Sequence, residues 1–286
     1  MELRSTLAKA LDGVGRLSRE VRLKLLRRNG QSQLVRPNSA EEWAALYADG
    51  ENVVSKTQSP VARAIIDLTE PGDVLLEAGC GHARLSAELA SAGRVIELCD
   101  FSQSILDHAV SLFERSRLPR PRVKLADLTR PLPWEDGAVD LVWSSGVLEH
   151  WTDQELVPIV TEMARISRKA VVSLVPNARS VFYRMGKHLM EEAGLWPYGR
   201  ELPRATLASV FLSAGLDRIH EFTIMPEHSP AFLRPTDPGM YGVATAWWAR
   251  VPPDDPLVRD QGYLLLTVGF KPAGKTREPD ERTVSS

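Results

Sequence analysis

A short apolar run that ends in an acid and a glycine turn constrains this chain more than any other stretch. Residues 74–76 predict a buried strand, and Glu77 closes it. Gly79 and Gly81 then predict a tight turn, and residues 83–92 have the apolar spacing of a helix. Glycines let a ligand approach the backbone closely, and the start of a helix offers free N–H donors. The stretch therefore predicts a nucleotide cradle, although a tight turn without a ligand would look similar.

The spacing of the turn separates two kinds of nucleotide loop. A dinucleotide loop, G-x-G-x-x-G, would need glycine where this chain has Arg84. The acid followed by Gly79-x-Gly81-x-Ala83 instead resembles the first motif of the class I S-adenosylmethionine-dependent methyltransferases, with alanine where that family usually has its third glycine. The resemblance implies S-adenosylmethionine as cofactor. The implied contacts in this turn are Glu77, Gly79, Cys80 and Gly81.

A second acid follows at the distance that one βαβ step needs. The segment 94–99 predicts a strand that ends at Asp100, 23 residues after Glu77. The sequence from Asp100 to Ala109 resembles the second motif of the same family. That resemblance implies that Asp100 binds the ribose hydroxyls and that Phe101 lies against the adenine. A simpler interpretation is that Asp100 caps the next helix.

A third acid closes the next predicted strand. Residues 123–126 form that strand, and Asp127 follows 27 residues after Asp100. In the family, an acid at this position meets the adenine amino group and the next residue, here Leu128, lies near the ring. By itself Asp127 is equally typical of a turn.

The stretch 132–151 is the most specific after the glycine turn. An acidic, glycine-containing loop leads into Val-Asp-Leu-Val and then to Glu149 and His150, which resembles the family's fourth strand and the loop after it. The resemblance implies that the segment from Ser144 to Trp151 crosses the methionine end of the cofactor. A neutral His150 could accept a proton from an attacking hydroxyl. Alternatively, Glu149 and His150 only brace the loop, because many such enzymes act chiefly by proximity.

Composition excludes several other classes. A formal net charge of −2 lacks the basic excess that nucleic-acid binding requires, and Pro176-Asn177 is not the motif of base-methylating enzymes, so we expect no nucleic-acid partner. Cys80 and Cys99 predict buried free thiols. We read no metal-binding cluster of acids. Without an apolar leader or a membrane span, we expect a cytoplasmic protein.

The ends of the chain predict separate elements. Residues 1–30 carry one apolar stripe with eight basic against three acidic residues, which fits either a helix on an anionic membrane surface or a capping helix. Trp43 and Tyr47 suggest a lid over the cofactor or simple packing. The expected division is a cap at 1–59, a methyltransferase domain at 60–271 and a disordered tail at 272–286.

The expected fold is α/β, a Rossmann-like, mostly parallel seven-stranded sheet with helices on both faces. We predict a helix over 204–215, a sixth strand over 216–224, and a proline-rich insertion at 226–260 before an antiparallel last strand at 263–270. The cofactor should lie at the carboxyl ends of the strands.

The expected function is methyl transfer to a small-molecule acceptor, first a hydroxyl of a metabolite, sugar or lipid-linked compound. An amine or carbon acceptor is an open alternative. A cofactor-binding interaction protein without transfer activity and a dehydrogenase are two further alternatives. The sequence leaves the oligomeric state open.

Overall fold

The computed structural model describes residues 38–47, 58–252 and 255–272. The predicted basic N-terminal helix and all but the first residue of the predicted tail lie outside these ranges. The strands are β1 (Val74–Ala78), β2 (Val95–Asp100), β3 (Arg122–Leu125), β4 (Val139–Ser145), β5 (Ser167–Pro176), β6 (Asp217–Ile224) and β7 (Leu264–Phe270).

Helices alternate with these strands along the chain. They are α1 (Ala40–Tyr47), α2 (Pro60–Ile66), α3 (Arg84–Ser91), α4 (Gln103–Arg115), α5 (Asp153–Ile166), α6 (Val181–Glu192), α7 (Ala208–Ser213), α8 (Pro238–Trp248) and α9 (Pro256–Asp260). Two 3₁₀ segments follow β4 and β6, at Leu148–His150 and Pro226–Phe232.

All seven strands form one sheet in the order β3-β2-β1-β4-β5-β7-β6. The pairs β1–β2, β1–β4, β2–β3 and β4–β5 are parallel, and β7 is antiparallel to both of its neighbours. The predicted sheet, with its antiparallel last strand, is therefore confirmed. Since β2 and β4 lie on opposite sides of β1, the strand order reverses at the glycine strand. That reversal leaves a crevice at the carboxyl ends of the strands.

The sheet has a hydrophobic core on each face. Side chains alternate between the faces, so Leu75 and Trp143 pack with α2, α3 and α4, whereas Leu76 and Val142 pack with α5 and α7. These four side chains are no more than 1% exposed. Because both faces of the central sheet are covered, strands such as β7 read as nearly continuous apolar runs in the sequence.

Local capping fixes where two of the helices begin. Thr152 accepts a hydrogen bond from the backbone N–H of Glu155, whose carboxylate accepts from the N–H of Thr152 in return. At α2, the hydroxyl of Ser59 accepts from the N–H of Ala62, and Pro60 occupies the first helical position. Both arrangements satisfy N–H groups that a helix start leaves free, so local sequence sets these boundaries.

One predicted helix is much shorter than expected. We predicted 204–215, but only Ala208–Ser213 is helical. The N–H of Arg204 donates to the carbonyl of Pro176, and the carbonyl of Arg204 accepts from the N–H of Ala178. A sheet-like bridge after β5 therefore takes the backbone groups that a first helical turn would use.

Other predictions about the chain stand as follows. The proline-rich residues 226–260 lie between β6 and β7 and form the second 3₁₀ segment, α8 and α9. Cys80 and Cys99 are buried free thiols, as predicted. Within the described ranges no helix is long and apolar enough to cross a membrane. The described part of the chain likewise contains no group of three or more side chains arranged to hold a metal ion.

Candidate functional site

Two adjoining cavities lie at the carboxyl ends of the central strands. The first has a volume of about 240 Å³ and the second about 270 Å³. Both are lined by the glycine turn, by the residues that follow β4, and by α1. The lining residues that they share are Trp43, Tyr47, Gly79, Gly81, Ser145, Gly146 and His150.

The glycine turn forms the shared floor. The N–H groups of Gly79 and Cys80 both donate to the carbonyl of Cys99, at 2.9 and 3.0 Å, which fixes the turn against the end of β2. Gly79 and Gly81 have φ of +75° and +48°, in the left-handed region that favours glycine. A Cβ on Gly79 would lie 2.8 Å from a methyl carbon of Val147, so this floor must stay free of side chains.

Ala83 also adopts a left-handed backbone conformation, with φ of +52°. It precedes α3 and is 1% exposed. Alanine stands here where the family that the sequence resembles usually has its third glycine. Its backbone conformation shows a constraint, since a left-handed residue with a Cβ costs roughly 1–2 kcal/mol.

Asp100 lies at the end of β2 and lines the first cavity. Its carboxylate accepts from the N–H of Gly81 at 3.3 Å and from the N–H of Ser102 at 3.1 Å. Burial raises the pKa of Asp100, and these backbone donors oppose the rise. The next residue, Phe101, is 44% exposed and lines the same cavity.

Asp127 and Leu128 complete this side of the site. Both line the first cavity, two and three residues beyond the end of β3. One carboxylate oxygen of Asp127 accepts from the N–H and the hydroxyl of Thr129, at 2.9 and 2.8 Å. Asp127 therefore both forms a turn and lines the cavity.

Glu77 lies beneath the glycine turn and lines the second cavity. It is 4% exposed, and its carboxylate accepts from the hydroxyl of Ser86 at 2.6 Å. Burial raises its pKa to about 8, and the nearby negative charge of Asp100 adds to the rise. The Cys80 thiol lines the same cavity, and burial raises its pKa as well.

His150 lines both cavities and is held by a backbone contact. Its Nδ1 lies 2.7 Å from the carbonyl oxygen of Arg200. Because a carbonyl only accepts, Nδ1 carries the proton in this contact and the lone pair of the neutral ring is on Nε2. Burial lowers the pKa of His150, against the opposing effects of the Arg200 and Gly146 carbonyls.

Trp43 and Tyr47, on α1, cover the shared floor. The Trp43 ring meets the His150 ring edge-on with centroids 5.3 Å apart, and Tyr47 meets His82 at 4.5 Å. A Cβ on Gly81 would lie 3.2 Å from the Tyr47 ring. The segment predicted as a lid therefore contacts the turn and the histidine directly.

Ser144 differs from the prediction. It is fully buried, its hydroxyl has no hydrogen-bond partner among the described residues, and it lines neither cavity. The next residue, Ser145, lines both. Because successive side chains of a strand point to opposite faces, shifting the assignment by one residue moves it from the core to the cavity.

The second cavity contains residues that sequence reasoning did not single out. Glu201, Trp196 and Tyr198 come from the loop between α6 and α7, and Tyr263 precedes β7. The only available signal was a concentration of aromatic residues in a loop between two predicted helices. That signal does not indicate where the loop lies in the fold.

Comparison with known proteins agrees with this geometry. Residues 75–170 match the family model described as a methyltransferase domain. A probable S-adenosylmethionine-dependent methyltransferase of Mycobacterium tuberculosis H37Rv is 31% identical over 142 residues, which cover 49% of this chain and 47% of that protein. Residues 75–170 therefore resemble a methyltransferase domain, and the sheet has the fold of class I S-adenosylmethionine-dependent methyltransferases. The mycobacterial relatives are named as probable S-adenosylmethionine-dependent enzymes, which supports S-adenosylmethionine as the cofactor.

One further relative and one solved structure define how far the likeness extends. Magnesium-protoporphyrin O-methyltransferase of Synechocystis is 26% identical over 176 residues, covering 58% of this chain and 74% of that enzyme. The structure of geranyl diphosphate C-methyltransferase from Streptomyces coelicolor A3(2) shares the methyltransferase fold. Its TM-score is 0.52 at 15% identity, covering 84% of this chain and 88% of that one. The chain spans about half the length of the mycobacterial relatives that it matches.

Proposed function

We propose that this protein transfers a methyl group from S-adenosylmethionine to a small-molecule acceptor, with a hydroxyl as the first candidate. The observation that carries the proposal is that two cavities meet over one glycine floor, with His150 in the wall of both. A donor in the first cavity and an acceptor in the second would meet at that floor. Cavities of about 240 and 270 Å³ suit metabolites, which supports a small molecule over a nucleic acid as the acceptor.

The first cavity fits the nucleoside part of the cofactor. Asp100 presents a carboxylate that can accept from two ribose hydroxyls, and half-exposed Phe101 offers a ring face to the adenine. Asp127 and Leu128 stand where the adenine edge would lie.

The shared floor fits the methionine part of the cofactor. Gly79 and Gly81 leave the backbone open, and Glu77 and Cys80 line the adjoining wall. When bound, S-adenosylmethionine supplies an electrophilic methyl on a sulfonium sulfur.

His150 is suited to accept the proton of the acceptor hydroxyl. The Arg200 carbonyl holds the proton of the neutral ring on Nδ1, and burial favours that neutral form. In the proposed step, Nε2 would accept the hydroxyl proton of the acceptor while its oxygen takes up the methyl group.

Trp43 and Tyr47 would exclude water from this transfer. Both line the two cavities, and Trp43 packs against His150. A drier cavity strengthens the interactions that orient the two reactants. This supports the lid interpretation of α1 over simple packing.

Calorimetry with S-adenosylhomocysteine, followed by a methyl-release assay on cell extract, tests the proposal. We expect binding and turnover. Binding without turnover would instead support a cofactor-binding interaction protein, and a methylated amine or carbon product would change the acceptor atom. In a thermal-shift comparison, stabilisation by NAD in place of S-adenosylhomocysteine would indicate a dehydrogenase and contradict the proposal.

A further inference from the structure

The second cavity has an aromatic wall. The ring of Trp43 stacks on that of Tyr198, with centroids 6.2 Å apart and planes 23° apart. Trp196 meets Tyr198 edge-on at 5.3 Å, and Tyr263 lines the same cavity. Tryptophan and tyrosine faces attract cations.

Two buried carboxyl groups line the same cavity. Glu149 is 3% exposed, and its Oε2 has no hydrogen-bond partner among the described residues. Glu201 is 9% exposed and accepts from the hydroxyl of Tyr183 at 2.6 Å. A buried, unpartnered carboxylate oxygen at a cavity wall is costly, and it has free capacity to bind a donor.

Two cations oppose, from a distance, the rise that burial causes in the pKa of these carboxyls: the charge of Arg204 acts on Glu149, and the charge of Lys187 acts on Glu201. Both cations donate to other acceptors, Lys187 to Glu191 and Arg204 to Asp153 and the Trp151 carbonyl. The Lys187 ammonium also lies over the Trp196 ring, 4.4 Å from its centroid, so Trp43 and Tyr198 are the rings left for a ligand.

The surroundings of the pair oppose the ionisation of both carboxyls at once. Burial raises the pKa of Glu149 well above its usual range, and the like charge of Glu201 adds to the rise. Burial also raises the pKa of Glu201 to about 7, although Lys187 opposes the rise. A cation between the two carboxyls would let both ionise and would replace their repulsion by attraction.

We propose that the acceptor carries a protonated amine, and that Glu149 and Glu201 hold this ammonium group against the aromatic wall of the second cavity. This inference rests on the proposed function and names its substrate class. The ammonium is an anchor, because a protonated nitrogen has no lone pair to attack a methyl group. A hydroxyl elsewhere on the same molecule would then be the group presented to His150.

A neutral polyol is the competing occupant, since sugars also combine aromatic faces with carboxylates. The unpartnered oxygen of Glu149 and the repulsion between the two carboxyls when both are ionised favour the amine.

Calorimetry on the full chain saturated with S-adenosylhomocysteine tests the assignment. The probes are two matched pairs, tyramine with 4-ethylphenol and benzylamine with benzyl alcohol, together with myo-inositol. We expect each amine to bind at least about tenfold more tightly than its neutral partner, as expected for a charge-assisted hydrogen bond. Amines that bind no better than their neutral partners, or more weakly than myo-inositol, would overturn the assignment.

Glu149→Gln and Glu201→Gln test the two carboxyls. Each should weaken amine binding about tenfold and change 4-ethylphenol binding less than about threefold. Glu192→Gln, an exposed acid at the end of α6, is the matched control and should bind as the unsubstituted chain does. Unchanged amine affinity in both cavity variants would refute the anchor.

A second measurement needs no variant. If an ammonium ionises the pair, binding of tyramine at pH 7 should release a fraction of a proton, measured as a dependence of the heat on the buffer's ionisation enthalpy. Binding without proton release would contradict the assignment. Failure of S-adenosylhomocysteine itself to bind would count against the proposed function, which separates the two failures.

Discussion

The two cavities share a floor but are built in opposite ways. The first is lined by residues that end or closely follow successive strands: Asp100 ends β2, and Asp127 lies two residues beyond β3. The second takes its far wall from the 195–201 loop and the residue before β7, which are distant in sequence. The position of the first cavity follows from the regular ends of the strands, whereas the second depends on how irregular segments pack.

That difference matches the tasks that we propose for them. A cavity that always binds the same cofactor can be lined by an acid at the end of each strand. A side that selects an acceptor can change by altering loops while the sheet stays the same. The following predictions test whether the two sides act separately.

The largest expected effect is at the boundary between the cavities. His150→Ala should lower turnover by about 100-fold, since general-base catalysis is typically worth that much, and should change affinity for S-adenosylhomocysteine less than about threefold. Steady-state kinetics and calorimetry measure the two quantities. His188→Ala, an exposed histidine on α6, is the control. Full turnover in His150→Ala would indicate that this residue only braces the loop, through its contact with Arg200.

The next largest expected effect is a loss of affinity for S-adenosylhomocysteine, confined to the first cavity. Asp100→Ala should weaken binding of S-adenosylhomocysteine at least about tenfold, because charge-assisted hydrogen bonds are worth about 1.5–3 kcal/mol. Binding of tyramine, measured with the ligand kept saturating, should be unaltered. Asp107→Ala, an exposed acid on α4, is the matched control. An unchanged affinity would rule out the ribose assignment.

A third prediction concerns the floor and its dependence on pH. The folded protein keeps a proton on Glu77 up to about pH 8, whereas the unfolded chain releases it near pH 4.5. The folded state therefore binds more protons in that window, and stability falls as pH rises through it. Glu77→Gln should raise Tm by about 5 °C at pH 8.5 and have little effect at pH 4.5. An equal shift at both pH values would contradict this origin.

A smaller effect is expected at the third position of the glycine motif. Ala83→Gly should stabilise the fold by about 1 kcal/mol, because glycine adopts the left-handed conformation at φ of +52° without strain. Denaturant unfolding measures the change, and Ala92→Gly, just after the same helix, is the comparison. If Ala83→Gly is destabilising, the strain at this position is absent.

The smallest effect separates two adjacent serines. Ser144→Ala should leave affinity for S-adenosylhomocysteine within about twofold, because its hydroxyl is buried and lines neither cavity. Ser145→Ala changes a residue that lines both. A large loss in Ser144→Ala with none in Ser145→Ala would restore the original assignment.

Much of the first cavity could be predicted because the signals are local. A strand, a turn and an acid occupy neighbouring positions, and parallel strands bring their carboxyl ends to one edge. The differences between the predictions and the structure are also local. Ser144 and Ser145 differ by one residue in register, and the predicted helix at 204–215 lost its first turn to a bridge with the end of β5.

The sequence by itself determined the order of the sheet elements and the acids at the strand ends, because hydrophobic period and turn chemistry act over a few residues. Only the tertiary structure decided that Glu201, Trp196 and Tyr263 face the same cavity as Glu149. Their proximity depends on packing between segments far apart in the chain, and no local pattern encodes it. The acceptor side of this methyltransferase domain is consequently defined by its three-dimensional contacts.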